Sequence, residues 1–437
     1  MDDGGFMTQR VRHSVRAALC AGTIASVVGG IAAAADAADD VAEVVVTGSR
    51  VRGAAPVGSA VTTLDSSQIA SSGQVTLDRA IKELPQNFDL GVSENSRGQS
   101  GGAGNIVYGN TINLRGIGPY ATLVVVDGHR VINNSRSTDP SIIPTLGVER
   151  VEVVADGASA IYGSDAIAGV VNIIPRRTLD GIEGFGRYGW ADQYSEYVVG
   201  AAWGTVGERG QLMFAYEHAH RDALSGDDRD FFRNDQRASG GRDWRVTRCA
   251  PGTIRTTQGT TVTTYAIPTA GITQANVGQL VAGSTNLCDE FTGQDLAPQQ
   301  TYNSLSSTAT YDVNERVSIV FDGFYSERDF LRMPAYATAT LTVPQTNAWF
   351  VRPVGFTGTS YQIDYNFRNE LVQNRNPGRA QNWQATPGIK VELPGSWRFE
   401  ALIGYGGNHD DASQYNGTNN AALNAALASA AFSAALF

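Results

Sequence analysis

Charge is scarce in this chain of 437 residues: Asp, Glu, Lys and Arg together make up 17%, against roughly a quarter in ordinary soluble domains. The charge that is present sums to −10, so the basic face that a nucleic-acid partner requires is missing. Cysteine is nearly absent too, with Cys20, Cys249 and Cys288 alone. Past the N-terminal region no long apolar run occurs before Ala421, so that stretch offers no helix with the apolar length a bilayer crossing needs. Of the five histidines, only His218 and His220 are close in sequence. Alternate strand positions would put these two on one face, where they could hold a metal or sit in an aromatic girdle or lumen; no metal site is assigned. Gly98-Gln99-Ser100-Gly101-Gly102 spells Gly-x-Ser-x-Gly, but within a Gly- and Ser-rich loop segment rather than between a strand and a helix, and no Walker-type Gly-Lys-Ser/Thr occurs. Gly116-Ile117-Gly118 lacks the third glycine and the helix of a dinucleotide site. No catalytic constellation remains, so the chain is read as a non-enzyme without cofactor.

What is present begins with an export signal over residues 1–37. Arg10, Arg12 and Arg16 form a positive n-region, Ala17 to Ala35 is uncharged, and Ala35-Asp36-Ala37 offers small residues at the cleavage spacing. Met7 is a second candidate start. A single membrane anchor is the alternative, opposed by the dominance of Ala and Gly in the stretch. Leu19 is too large for the position before a lipidated cysteine at Cys20. Thiols of an exported chain are oxidised, and Cys249 and Cys288 share one long polar segment. A disulfide there closes a loop of about 40 residues, worth roughly 4 kcal/mol in the chain-entropy picture; two free thiols are the alternative.

Glycine is plentiful at 49 residues and tyrosine at 16. Low charge with these residues suits strands that alternate apolar and polar positions, half facing lipid and half a wet lumen. An acidic soluble protein would look similar in bulk, so the decision falls to motifs. Val148 to Arg177 packs a strand, a turn at Gly157, a helical turn from Ala158 to Tyr162 closed by Gly163, and a second strand, Gly169 to Ile174. That second strand is apolar apart from Asn172 and predicts burial on both faces. Upstream, Asp127-Gly128 between Thr122–Val126 and Arg130–Ile132 predicts a hairpin, because both residues tolerate positive φ. Thr111 to Arg115 reads as a strand turned by Gly116-Ile117-Gly118-Pro119. Thr76 to Pro85 reads as a short helix capped by Thr76, with Leu77, Ala80, Ile81 and Leu84 on one face. Near the start, Glu43-Val44-Val45-Val46-Thr47-Gly48 is an extended segment able to add as a strand to a partner's sheet edge; the alternative is a plain first strand.

Taken in order, Glu43–Gly48, Asn113-Leu114-Arg115-Gly116, Val126-Asp127-Gly128 and Val148–Arg177 resemble the TonB box and plug domain of TonB-dependent outer-membrane receptors. The resemblance covers the chain to about Arg177. It implies a TonB box and linker over 38–60 and an α+β plug domain over 61–177.

From 178 to 437 the pattern changes to long alternating strands near 182–191, 194–204, 210–221, 301–312, 316–330, 381–393 and 397–409. Val317, Ile319, Phe321, Gly323 and Tyr325 share one face, against Ser318, Asp322 and Ser326 on the other. Trp397, Phe399, Ala401, Ile403 and Tyr405 repeat this against Arg398 and Glu400. Such lengths suit tilted crossings of a bilayer. Short turns near 204–210, 312–315 and 394–396 separate long polar segments at 222–300 and 331–380, as in outer-membrane barrels. The fold expected is an α+β plug followed by an antiparallel transmembrane β-barrel of about 7 strands, where the family builds about 22, so the chain reads as truncated. Ala421 to Phe437 is Ala-rich, either a short helix in an outer loop or altered sequence.

The resemblance further implies import of a scarce nutrient (a ferric siderophore, cobalamin or an oligosaccharide) through the outer membrane of a Gram-negative bacterium. Its partners would be TonB with the inner-membrane energising complex, outer-membrane lipid and the small-molecule or oligosaccharide substrate. A passive channel and a non-functional fragment are the alternatives. Family plugs are held by charge pairs between plug arginines and barrel carboxylates, which at the matching positions points to Arg115 and Arg150. Glu152, on the same strand face as Arg150, offers a surface pair with it instead.

Overall fold

The computed structural model describes residues 60–88, 94, 107–131, 138–395 and 397–428. The export signal, Cys20 and the Glu43–Gly48 segment lie outside these residues.

The plug is a five-stranded sheet. Its strands are β1 (Val61–Asp65), β2 (Thr122–Val126), β3 (His129–Arg130), β4 (Val148–Val154) and β5 (Gly169–Pro175), in the order β1-β4-β5-β2-β3. β2 and β5 run parallel and the other neighbours antiparallel. β5 is buried along its whole length, as a β-branched run without polar alternation requires. Apolar layers cover both faces. On one, Ile69, Leu77, Ile81, Leu114, Val124, Val151 and Ile173 pack together. On the other, Leu123, Val125, Ala158, Ala166 and Val170 form a smaller cluster. β5 begins at Gly169 because its φ is +144°, and a Cβ there would stand 2.2 Å from the Val154 carbonyl oxygen; only glycine fits so close to β4.

Helix α1 (Ser66–Ser71) follows β1 directly. Asp65 and Gln68 close a capping box around its first turn. α2 (Leu77–Lys82) falls inside the expected Thr76–Pro85 segment and buries Leu77, Ala80 and Ile81. Thr76 is its N-cap residue but its side chain does not cap; the hydroxyl oxygen is buried without a hydrogen-bond partner. The expected strand over Thr111–Arg115 reduces to one bridge, Asn87 with Leu114, because Arg115 at φ 57° turns the chain away. α3 (Ser159–Tyr162) is the single turn expected, closed by Gly163 at φ 86°.

The wall follows. β6 (Gly181–Ala191), β7 (Tyr194–Gly207) and β8 (Gly210–Arg221) lead into a first insertion, which carries β9 (Leu224–Ser225), β10 (Thr253–Gln258), β11 (Thr261–Ala266) and β12 (Asp295–Ala297). β13 (Gln299–Asn314) and β14 (Val317–Arg332) precede a second insertion with β15 (Thr338–Pro344) and β16 (Ser360–Asn366). β17 (Asn376–Leu393) then pairs with both β18 (Trp397–Leu402) and β19 (Tyr405–Ala412). The last two occupy the single expected strand 397–409, which breaks at Ile403-Gly404. Neighbours in chain order along the wall are antiparallel throughout.

Burial in this wall is inside out. Ile182, Val199, Trp203, Phe214, Ile319, Phe399 and Ile403 are exposed, while Glu217, Arg221, Gln300, Ser304, Thr308, Asp322 and Gln384 are buried. A soluble sheet does the opposite. An apolar outer face with a polar inner face is the arrangement of strands that cross a bilayer as a barrel. The chain is therefore an α+β plug followed by an antiparallel transmembrane barrel wall.

The two insertions occupy the expected long polar segments and depart most from that expectation. β11, β10, β16 and β15 form their own four-stranded sheet. Its core gathers Ile254, Ile267, Ile272, Leu341, Val343, Phe356, Tyr361 and Ile363 from both insertions, with Leu427 of α4 (Asn420–Ala428) docked on it. Cys249 and Cys288 are joined by a disulfide across 39 positions.

Candidate plug–wall interface

Plug and wall meet through charged and polar side chains that the topology brings to the inner face. At the turn end, Arg177 follows β5 and reaches both ways. Its Nη2 donates to Asp127 Oδ2 at 2.7 Å and to Asp322 Oδ2 at 3.0 Å. Burial works against the Arg177 charge, but Asp322 and then Asp127 raise its pKa above the usual value. Midway, Glu217 of β8 accepts from the Thr145 backbone N–H at 2.9 Å and from its hydroxyl at 2.6 Å. Arg187 of β6 donates to the carbonyls of Ala70, at 2.7 Å, and Gln74, at 2.9 Å, where α1 ends.

The insertion end is denser. Arg79 of α2 pairs with Glu196 of β7 at 2.9 Å and with Glu94 at 3.5 Å, and Arg221 of β8 pairs with Glu94 at 2.7 Å. Asn110 donates to Asp78 and Glu94. Arg328 of β14 lies 3.7 Å from Asp139 and donates to the carbonyls of Val107 and Tyr108. Burial, and then the neighbouring Asp78, raises the Asp139 carboxyl, with Arg328 opposing.

Tyr108 carries the plug into contact with the wall. It holds φ 50° and is 1% exposed. Its ring packs edge-on against Phe330 at 5.5 Å and lies beneath the Arg332 guanidinium at 5.0 Å. Asn376 donates to its hydroxyl at 2.7 Å, and Gln300 donates to its carbonyl at 3.2 Å. One plug side chain thereby touches β14 and β17, and its backbone touches β13.

The residues singled out by resemblance meet plug partners instead. Arg115 donates to the carbonyls of Ala168 and Ile167 and lies 3.9 Å from Asp156. Arg150 pairs with Glu152 at 2.9 Å and Glu149 at 2.6 Å. Glu152 is 3% exposed, so this is a half-buried pair rather than a surface one. The wall carboxylates are met by Arg79, Arg177 and Thr145, none of which sequence reasoning selected. Gly116, Asp127, Gly128 and Gly163 all sit in turns at positive φ, while Gly157 donates to its neighbour Asp156. His218 and His220 lie beside the Tyr197 ring, at 5.8 Å and 5.5 Å, against Asn303 and Thr301. Among the described residues no group of three or more His, Cys, Asp or Glu could hold a metal ion.

A family model of the TonB-dependent receptor plug domain matches residues 54–170. Those residues form a domain of the TonB-dependent receptor plug kind. Several solved structures are also similar to it. The siderophore receptor PirA from Pseudomonas aeruginosa is 15% identical over 82% of this chain and 50% of its own, with a TM-score of 0.35. A variant of the ferric enterobactin receptor PfeA from Pseudomonas aeruginosa is 18% identical over 79% and 48%, at 0.39. PirA from Acinetobacter baumannii is 16% identical over 79% and 47%, at 0.34. The chain spans about half the length of these structures.

Proposed function

We propose that the protein is an energy-coupled outer-membrane receptor that imports a scarce, small-molecule nutrient through a plugged barrel. The observation that carries this reading is a globular domain of the plug family seated on the polar face of an inside-out wall. A passive pore has no need of a stopper fixed by so many partnered charges. The outer membrane holds no ion gradient to do work, so force would come from the inner membrane through TonB. In this reading Glu43–Gly48 adds as a strand to that partner and transmits the pull to the plug. β1 is the first described plug strand after the segment, and within the plug sheet it pairs with β4 alone, which suits an element that must yield first. Ferric chelates, cobalamin and oligosaccharides are the substrate classes to be tested, by uptake and growth under iron limitation against carbon limitation. Deleting Ala42–Gly48 in the full-length protein should abolish uptake while leaving substrate binding intact. Uptake unchanged by that deletion would mean a passive channel.

A further inference from the structure

Asp78 and Lys82 stand one turn apart on α2, so both can meet the same neighbour. That neighbour is Asn110, a plug residue 4% exposed. Lys82 Nζ donates to Asn110 Oδ1 at 2.9 Å. Asn110 Nδ2 donates to Asp78 Oδ2 at 2.6 Å and to Glu94 Oε2 at 3.0 Å. Asp78 is wholly buried, and its Oδ1 has no hydrogen-bond partner. Burial pushes the Glu94 carboxyl up to about 7, with Arg79 opposing, so it exchanges protons near neutral pH. A primary amine thus touches a buried primary amide whose nitrogen is held by two carboxylates. Those are the groups that aminolysis of an amide requires: a nucleophile, an acyl carbon and proton carriers on the leaving nitrogen.

We propose that Lys82 and Asn110 form an isopeptide bond, a covalent modification within the plug that these side chains complete by themselves. Asp78 Oδ1 takes a proton from the Lys82 ammonium, and the freed amine attacks Asn110 Cγ. The new Nζ–Cγ bond forms, the Cγ–Nδ2 bond breaks, and Nδ2 departs as ammonium. Lys82 loses two protons and Nδ2 gains two, one carried by Asp78 and one by Glu94, so charge and atoms balance without a co-reactant. Holding both reactants in one site is worth an effective concentration of about 10⁵ M or more. A buried amide also keeps out the water that would compete with the amine. The bond closes a loop across 28 positions, so tension applied to α2 passes straight to Asn110. That mechanical consequence rests on the receptor reading above, but the bond does not.

The test is a tryptic peptide map of the full chain, purified in detergent and read by mass spectrometry. Trypsin cannot cut after an acylated lysine, so the bond should give Ala80–Arg97 joined to Gly98–Arg115, lighter than the two peptides together by one ammonia. Fragmentation should place the junction at Lys82 and Asn110. Lys82→Arg keeps the charge but not the nucleophile and should give the peptides separately. Asp78→Asn and Glu94→Gln keep both reactants and should lose the linked species, with near-ultraviolet circular dichroism reporting whether each variant is folded. The wild-type map decides even where a variant fails to fold. A wild type that yields only separate peptides overturns the proposal. So does a Gly98–Arg115 peptide carrying aspartate at position 110, because water and not Lys82 has then attacked. Full linkage in a folded chain lacking both carboxylates would overturn the proton-transfer step. The map reads no uptake, so failure of the receptor reading leaves its outcome unchanged.

Discussion

Arg177 and Asp322 stand 2.9 Å apart across the boundary between plug and wall. The arginine ends the plug's sequence and the aspartate lies on β14, so the pair fixes the domain where the chain leaves it. Asp127, in the β2–β3 turn, holds the same guanidinium from the plug side. One cation thus ties the plug hairpin, the exit segment and the wall together.

Arg177→Gln leaves Asp322 and Asp127 facing each other without a counter-charge. Removing one partner of a fully buried pair costs about 3–5 kcal/mol. Arg177 keeps some water contact, so we expect about 2 kcal/mol, lost from the docked plug and not from the wall. Hydrogen exchange of the β2 and β5 amides should speed up accordingly, with wall amides unaffected. Equal exchange in variant and wild type would show that the pair is not a clamp.

Tyr108 provides a second, separable attachment. Tyr108→Phe removes only the hydroxyl that accepts from Asn376, which should cost about 1 kcal/mol. Tyr108→Ala removes the ring between Phe330 and Arg332 as well, and large-to-small changes at such sites cost about 3–5 kcal/mol. The ordering wild type, Phe, Ala should appear in the susceptibility of the plug to protease in detergent. A Phe variant as fragile as the Ala variant would place the whole contribution in the hydroxyl.

Much of this architecture was legible because it is local. Asp127-Gly128 specified its hairpin through backbone conformation, and the all-apolar run after Gly169 specified a strand buried on both faces. The wall strands were legible from the alternation in β14 and β8, where Phe214 and Tyr216 point out and Glu217 points in. The interface was not, because its pairs join residues far apart in sequence: Arg79 with Glu196, Arg177 with Asp322, Thr145 with Glu217. A usable signal did exist. Glu196, Glu217, Arg221 and Asp322 are charges at inward positions of lipid-crossing strands, and a charge facing inward must find a partner on the plug. Reading motif arginines from resemblance instead selected Arg115 and Arg150, whose partners lie inside the plug. The insertions were missed for a related reason. Their core is assembled from short apolar stretches in two segments, and neither stretch shows a period long enough to mark a domain.

Asp295 makes the stability of the first insertion's root depend on pH. Burial pushes its carboxyl up to about 6, with the Met333 N–H and then Arg332 opposing. An acid whose folded pKa is raised stabilises the fold fully below its unfolded value, near 4, and that stability is lost as pH rises through 6. The paired contacts of β9 with β12 should therefore loosen between about pH 4 and 6, by on the order of 1 kcal/mol. Amide exchange at Ser225 and Ala297 across that range measures it. Asp295→Asn should flatten the slope, and a slope that persists in this variant assigns the effect to another group.

The disulfide should matter to the insertions alone. Cys249 and Cys288 lie within the first insertion, and Cys249 is 1% exposed beside the sheet core. Closing a loop of that length constrains the unfolded chain by roughly 4 kcal/mol. The insertions also hold an apolar core with side chains from both segments and from α4. That core does not depend on the bridge for its contacts, so reduction should weaken it without dispersing it. Replacing both cysteines with serine should therefore make the 222–298 segment sensitive to protease at temperatures where the wild type resists. The β13–β14 hairpin, paired along its full length outside the loop, should stay protected in both. If the wall became sensitive together with the insertion, the two would have to unfold as one cooperative unit.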